Sequence, residues 1–387
     1  MLRGLTGTYV ESTTAGEVVR AFVPADLPPN PPIAWDETLR TAHEKALLQI
    51  GRLDGASNLL PEPHLFLYTY VRKEAVWSSR IEGTQSSLSD LLRHELADTP
   101  MALLDDVREV SRYVDALDFG IRAMREGMPL SLRLLRQIHE RLLAEGRGAA
   151  QTPGRFRRSQ NWIGGTRPGN AAFVPAPPHL LEERLYAWEQ FLHNQPLTTP
   201  TLVKAALVHV QFETLHPFLD GNGRLGRLLI TLLLCADGLL AEPMLYLSLY
   251  LRRHRSRYYA LLQAVREEGD WEAWLAFFFE GVAETAEGAV AGIRALTALY
   301  KRDRLRLEGQ TATAIRLYDH LQRAPVITAP KAQELLDVSA PTARKAIRDL
   351  EALGLLEEVT GGDYRRLYIY TEALVLLQQD TPGAQTD

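Results

Sequence analysis

The chain has 387 residues, 46% of them hydrophobic and 24% charged, which suits about two or three folded domains and excludes wholesale disorder. A net charge of -5 sets up no global attraction to nucleic acid or an anionic membrane, so any such binding has to be local. The lone cysteine, Cys235, excludes an intrachain disulfide.

The first residues, MLRGLTGTYVESTTAGE, lack the continuous apolar core of a signal peptide, and the longest apolar span, Leu228 to Ala236, is far short of the roughly 20 residues a membrane-crossing helix needs. The expectation is a cytoplasmic protein with no membrane partner. Gly, Thr and Pro dominate the stretch up to LPPNPPI, which reads as an extended arm laid over the rest. From Asp36 to about Tyr300, apolar residues recur at three- and four-residue steps in TLRTAHEKALLQIGRL, LLDDVREVSRYVDALDFGIRAM, SLRLLRQIHERLL and HLLEERLYAWEQFL, predicting a mainly helical domain.

Within it, SSRIEGTQSSL follows the helical EPHLFLYTYVRKEAVW and puts Gly83 where a C-terminal cap belongs. Glu82 is oddly placed there, because a carboxylate in a helix's last turn opposes the dipole by roughly a few tenths of a kcal/mol. It needs a partner, and Arg80 is the nearest candidate. Further on, QNWIGGTRPGNAAFVPAPP offers two short β-prone pieces, NWIG and AAFV, around a Gly/Pro turn, predicting a small hairpin.

HPFLDGNGRLGR, His216 to Arg227, carries the chemistry. Gly221 and Gly223 allow the backbone to approach an anion, and the apolar run that follows starts a helix whose first amides favour negative charge. Arg224 and Arg227, three residues apart, can hold two phosphates. Asp220 suits a Mg²⁺ ion bound by one carboxylate and substrate phosphates. His216, with an ordinary pKa near 6.5, suits acceptance of a hydroxyl proton. GNGRLG also matches a dinucleotide fingerprint, but HPFLD separates it from the preceding segment and no βαβ alternation surrounds it.

HPFLDGNGRLGR resembles the signature of the Fic family, and LLRQIHERLL, PGRFRRSQNWIGG, FVPAPP and RYYALLQAVREEGDWEAWLAFFFEGV are similar to Fic proteins as well. The resemblance implies a protein adenylyltransferase. His216 would deprotonate the target hydroxyl and Asp220 would bind Mg²⁺. Gly221, Asn222, Gly223, Arg224 and Gly226 would line the α- and β-phosphates of ATP, with Arg227 on the γ-phosphate and Tyr258 on the adenine side. Ile163, Gly164, Gly165 and Thr166 would form a flap that pins a segment of the target protein, or of the chain itself, by strand addition. Ser78, Glu82 and Gly83 resemble the family's inhibitory motif, in which Glu82 would occupy Arg227. A homodimer is expected, and removal of AMP by the same site stays open.

From Thr311 to Tyr370 the texture changes to TAIRLYDHLQ, KAQELLDV, PTARKAIRDLEALGLL and EEVTGGDYRRLYIY, which resembles a winged helix-turn-helix domain. Ala343, Ile347, Leu350 and Leu353 make an inward stripe on its third helix. Thr342, Lys345 and Arg348 remain as candidate DNA contacts, with Arg365 and Arg366 on the wing. Between Lys301 and Glu372 there are 12 basic and 11 acidic residues, and a balance of +1 is small for DNA binding. A transcriptional regulator with a vestigial Fic domain is therefore the alternative. The fold expected is mainly α. Residues 1–110 would form an N-terminal region with the inhibitory segment 78–83, residues 111–300 a Fic catalytic core, residues 311–372 the winged helix, and residues 373–387 a flexible tail.

Overall fold

A computed structural model describes residues 2–57, 63–88, 90–91, 105–146, 148–360 and 366–378. Among them no helix is long and apolar enough to cross a membrane. The chain opens not on a plain arm but on an antiparallel hairpin, β1 (Gly7–Thr14) and β2 (Glu17–Pro24), in which Thr14 pairs with Glu17. The two turn residues, Ala15 and Gly16, both have positive φ, the conformation that a two-residue turn needs to match strand twist. The arm does lie over other elements. Arg3 holds Glu272 at 2.6 Å, and Phe22 N–H donates to the Val174 carbonyl at the flap's outgoing stem.

The helical body comprises α1 (Glu37–Ser57), α2 (Pro63–Ile81), α3 (Asp105–Arg125), α4 (Leu132–Leu142), α5 (Pro178–Leu192), α6 (Thr201–Leu215) and α7 (Asn222–Ala236), then α8 (Ser248–Arg253), α9 (Arg255–Glu268) and α10 (Trp271–Leu305). Every residue of α6 from Leu202 onward is buried, so it is the central rod and shows no apolar stripe. Trp188 of α5 and Trp274 of α10 bury their rings against it and donate their indole N–H groups to its Val208 and Ala206 carbonyls. α7 packs beside α6, and α10, 35 residues long, spans the body against α1.

After α10 come α11 (Ala312–Leu321), β3 (Val326–Thr328), α12 (Ala329–Leu336), α13 (Ala340–Ala352), β4 (Glu357–Glu358), β5 (Leu367–Ile369) and α14 (Thr371–Gln378). The three strands form an antiparallel sheet in the order β3-β5-β4. Thr311, Thr328 and Ser339 cap the three helices before the sheet closes by accepting from the third amide on. Ala343, Ile347 and Leu350 are buried as the stripe requires, and Thr342, Lys345 and Arg348 are exposed. Gly361, Gly362 and Arg365, expected on a wing, lie outside the described residues. The tail expected from residue 373 starts instead as α14, whose Ala373 and Leu377 are buried.

Candidate active site

The loop between α6 and α7 is held from all sides. His216 caps α6 in the left-handed region, at φ 47° and ψ 60°. Such a backbone costs roughly 1–3 kcal/mol and persists only where its surroundings fix it. Pro217 disfavours helical continuation, and the His216 carbonyl accepts from Arg157 Nε at 2.9 Å and Asn161 Nδ2 at 3.3 Å. His139 of α4 stacks on Phe218 with ring centres 3.7 Å apart. Its Nδ1 accepts from Gly154 N–H at 2.9 Å, so its Nε2 carries the proton given to the Asp220 carbonyl at 2.9 Å. Burial lowers the His139 pKa to about 4, consistent with a neutral structural ring.

Asn222 commits its side chain to the loop itself. Its Oδ1 accepts from Phe218 N–H at 2.9 Å and its Nδ2 donates to the Phe218 carbonyl at 2.8 Å, so both ends of the amide staple the loop. Gly221 enters α7 at φ 78°, and a Cβ there would press on Leu143 and His139. The amides of Asn222, Gly223 and Arg224 open α7, whose first bond runs from Leu225 N–H to Gly221. They are the unpaired donors of a helix N-terminus.

Glu82 stands at that N-terminus. Its Oε1 accepts from Arg227 Nη2 at 2.6 Å, while Arg227 Nε donates to Ser78 Oγ at 2.9 Å and Nη2 also to the Ser78 carbonyl at 3.0 Å. A Cβ on Gly223 would collide with Glu82 Oε1, so this glycine admits the carboxylate. Burial alone would push the Glu82 carboxyl up, but the charge and hydrogen bond of Arg227 outweigh it, with Arg224 and His216 adding, and hold it below its usual value. Gly83 takes φ 101° at the end of α2. Arg80 is not the partner of Glu82, since its Nε donates to Ser86 O at 3.0 Å and its guanidinium lies over Trp77.

His216 sits beside this pair with Nδ1 buried, which leaves Nε2 as the nitrogen for a substrate. Burial, then the charges of Arg157 and Arg266, lower its pKa to about 4 against weaker pulls from the Glu213 backbone and Glu82. The ordinary value of about 6.5 assumed from the sequence therefore does not hold in the free chain. Arg224 is buried, forms an ion pair with Glu109 of α3 at 2.7 Å and lies 3.8 Å from Asp220. Asp220, with its side chain 37% exposed, accepts from Gly221 N–H through Oδ1 at 2.6 Å. No cluster of three or more metal-binding side chains forms among the described residues. One accessible carboxylate at the rim of a phosphate cradle fits Mg²⁺ shared with substrate oxygens.

Tyr258 is 1% exposed and donates its hydroxyl proton to His209 Nε2, 2.9 Å away, because His209 Nδ1 gives its own to a carbonyl. His209 Nδ1 lies 3.0 Å from the Gly226 carbonyl. The tyrosine is placed as a core strut between α9, α6 and α7 rather than on an open wall. Its neighbour Tyr259, 40% exposed, feels the charges of Glu82 and Arg227. Gly226 is also internal, since a Cβ there would collide with Glu213 Oε1. The flap is narrower than a full hairpin. Ile163 and Phe173 exchange both backbone hydrogen bonds, at 2.8 and 3.1 Å, and a short 3₁₀ turn, Pro168–Asn170, fills the space between. Gly164, Gly165 and Thr166 are exposed, the two glycines at φ 68° and 75°.

His139, Arg157, Asn161 and Glu109 support the loop and were not singled out from the sequence. Two of them, Arg157 and Asn161, stand in PGRFRRSQNWIGG, the segment whose basic and amide residues precede the flap.

Comparison with known families agrees with this geometry. The model described as Fic/DOC family N-terminal matches residues 40–122, and the Fic/DOC family model matches residues 129–234. The chain is a Fic family protein through these residues. It is 26% identical over 260 residues to the protein adenylyltransferase Fic of Drosophila virilis, covering 65% of this chain and 50% of that one. To its Drosophila ananassae counterpart it is 28% identical over 211 residues, 54% of this chain and 39% of that one. The chain thus spans half or less of the length of these curated relatives. A Fic family protein from Desulfovibrio desulfuricans G20 shares the fold with a TM-score of 0.56 at 19% identity, over 93% of this chain and all of that one. Fic-1 from C. elegans shares it with a TM-score of 0.51 at 24% identity, over 67% of this chain and 74% of that one.

Proposed function

We propose that the chain transfers AMP from ATP to a Ser, Thr or Tyr hydroxyl of a protein and that Glu82 restrains the reaction. The observation carrying this reading is the Glu82 carboxylate, which lies against the N-terminus of α7 and on Arg227 within the same site as His216. A helix N-terminus with a buried arginine is built for phosphate, and here a carboxylate stands in for it.

In the reaction, the acceptor oxygen bonds to the α-phosphorus as the bond to pyrophosphate breaks, and the hydroxyl proton passes to His216. The first amides of α7 and Arg224 hold the α- and β-phosphates, Arg227 the γ-phosphate, and Asp220 carries Mg²⁺. The metal supplies neutralising charge to the phosphates. Tyr259 offers an exposed ring for the adenine, with Tyr258 behind it. The flap at Ile163 to Thr166 positions the acceptor segment by backbone pairing. With Arg227 engaged by Glu82, the γ-phosphate lacks its clamp and in-line geometry is lost.

The test uses ATP labelled at the α- or the γ-phosphate, mixed with lysate and the full chain. Glu82→Gly is expected to raise transfer of the α-label by roughly tenfold or more, with no transfer of the γ-label, and adding His216→Ala to abolish it. Transfer of the γ-label would point to a different phosphoryl chemistry. Because Glu82 is ionised and its side chain is 35% exposed, it also supports a water-directing role in AMP removal. Loss of AMP release from a pre-modified protein in Glu82→Gly supports that direction, and retained release contradicts it.

A further inference from the structure

We propose that an arginine-lined cavity at the foot of the flap binds a run of carboxylates, an acidic segment of the protein that is modified. The assignment of that partner rests on the AMP-transfer reading above, whereas the anion site itself does not. The cavity, about 930 Å³, lies between α4, α5 and the stretch entering the flap, a volume in the range of sites that enclose organic ligands. Arg133 and Arg136, one turn apart on α4, meet Arg155 and Arg158 across it, with His179 at the start of α5.

Charge balance makes it a site. Arg133, Arg155 and Arg158 are exposed, and no carboxylate among the described residues forms an ion pair with any of them. Arg136 is aimed by the Gly154 carbonyl, 2.8 Å from Nε, and by the Phe156 ring. Arg157, 3% exposed, also lines the cavity and spends its donors on backbone carbonyls, those of Ser159, Ala176, Leu215 and His216. Burial drags its pKa down to about 10 with no acidic group offsetting it. A buried guanidinium without a counter-charge is costly, and an anion in the adjoining cavity relieves it. Among the described residues, five arginines thus line the cavity with one acid, Glu182, in a chain whose net charge is -5. All are arginine rather than lysine, the side chain that pairs two-pronged with carboxylates.

Position selects the ligand. Residues 155–158 lead into the flap and residues 178–182 form the first turn of α5 just after it, and Arg157 holds the His216 carbonyl itself. A segment anchored here is tethered to the element that presents the acceptor hydroxyl, which raises the effective concentration of that hydroxyl at the site.

The experiment measures fluorescence anisotropy of a labelled oligoglutamate peptide titrated with the full chain, alongside inorganic tripolyphosphate as competitor. Binding that weakens with ionic strength, falls roughly tenfold or more in Arg133→Ser/Arg158→Ser and is unchanged in His216→Ala supports the site. Circular dichroism of the double variant confirms that it folds. Peptide affinity that ignores the two arginines overturns the proposal, as does binding of tripolyphosphate without binding of the peptide. Peptide binding with no AMP transfer in Glu82→Gly leaves the anion site standing and removes the AMP-transfer reading.

Discussion

At the scale of the residue, His216 combines a left-handed backbone with a ring whose pKa is lowered to about 4 by burial and by Arg157 and Arg266. The ring is therefore a neutral base at pH 7, and the imidazolium formed on proton transfer is unfavourable until the negative charge of phosphate lies beside it. In the free chain, the His216 ring resonances are expected to titrate near pH 4 by NMR, and to move upward when ATP is added. Titration near the ordinary value of about 6.5 in the free chain would contradict this. Gly226 makes a second residue-scale case, because a Cβ there meets Glu213 Oε1 and the Phe212 ring in the seam between α6 and α7. Gly226→Ala is expected to lower stability by about 1–3 kcal/mol through overpacking, read as a fall in the urea midpoint.

At the scale of the element, α2 carries the proposed restraint, and α3, α7 and α8 each bond to it. Glu74 on its inner face accepts from Ser248 N–H of α8 at 3.0 Å and from the Tyr113 hydroxyl of α3 at 3.3 Å. One turn on, Ser78 receives Arg227 of α7. Ser78→Ala removes one of the three hydrogen bonds that seat Arg227 and is expected to release transfer partially, by less than Glu82→Gly, since a single bond is worth about 1 kcal/mol. Equal activation by both would place the restraint outside the carboxylate. The helices and the 216–227 loop were legible in the sequence because a 3.6-residue period and a glycine-punctuated motif are local signals. The misplacement of Glu82 against the α2 dipole showed only that it needs a partner and pointed to Arg80, whereas its meeting with Arg227 was expected from the resemblance to the Fic inhibitory motif. The β1-β2 hairpin was not, because its turn is Ala15-Gly16 rather than Asn-Gly. Nor were His139, Glu109 and Asn161, since each acts on a loop or helix distant in sequence.

At the scale of the whole molecule, the C-terminal unit packs against the segment that follows Glu82. Val326 of β3, Ile369 of β5 and Leu374 of α14 pack on Leu88, just beyond Glu82, with Tyr68 of α2 alongside. Its junction with α10 is fixed by buried Asp303, which accepts from the Tyr370 hydroxyl at 2.5 Å and from Arg306 at 3.1 Å. Leu374→Ala opens that contact and is expected to raise basal transfer while leaving Glu82→Gly unchanged. Equal basal transfer in Leu374→Ala and the unaltered chain would separate the two units.

Acid should also weaken the fold as a whole. His139, His209 and His216 have pKa values of about 4, 3 and 4 in the folded chain against about 6.5 unfolded. The unfolded chain binds more protons between these limits, so stability falls as pH drops below about 6.5. Glu213, raised to about 7 by burial, acts in the opposite direction as pH falls from 7 toward its unfolded value. Three groups outweigh one, and the urea midpoint is expected to decrease from about pH 6.5 to 4.5, less steeply in His209→Gln. The central claim, that a nucleotidyl-transfer site is held shut by Glu82 on Arg227, is met most directly by incubating α-labelled ATP with the unaltered chain, Glu82→Gly and Glu82→Gly/His216→Ala. Low, high and no transfer in that order is the predicted result, and equal transfer by the first two would contradict it.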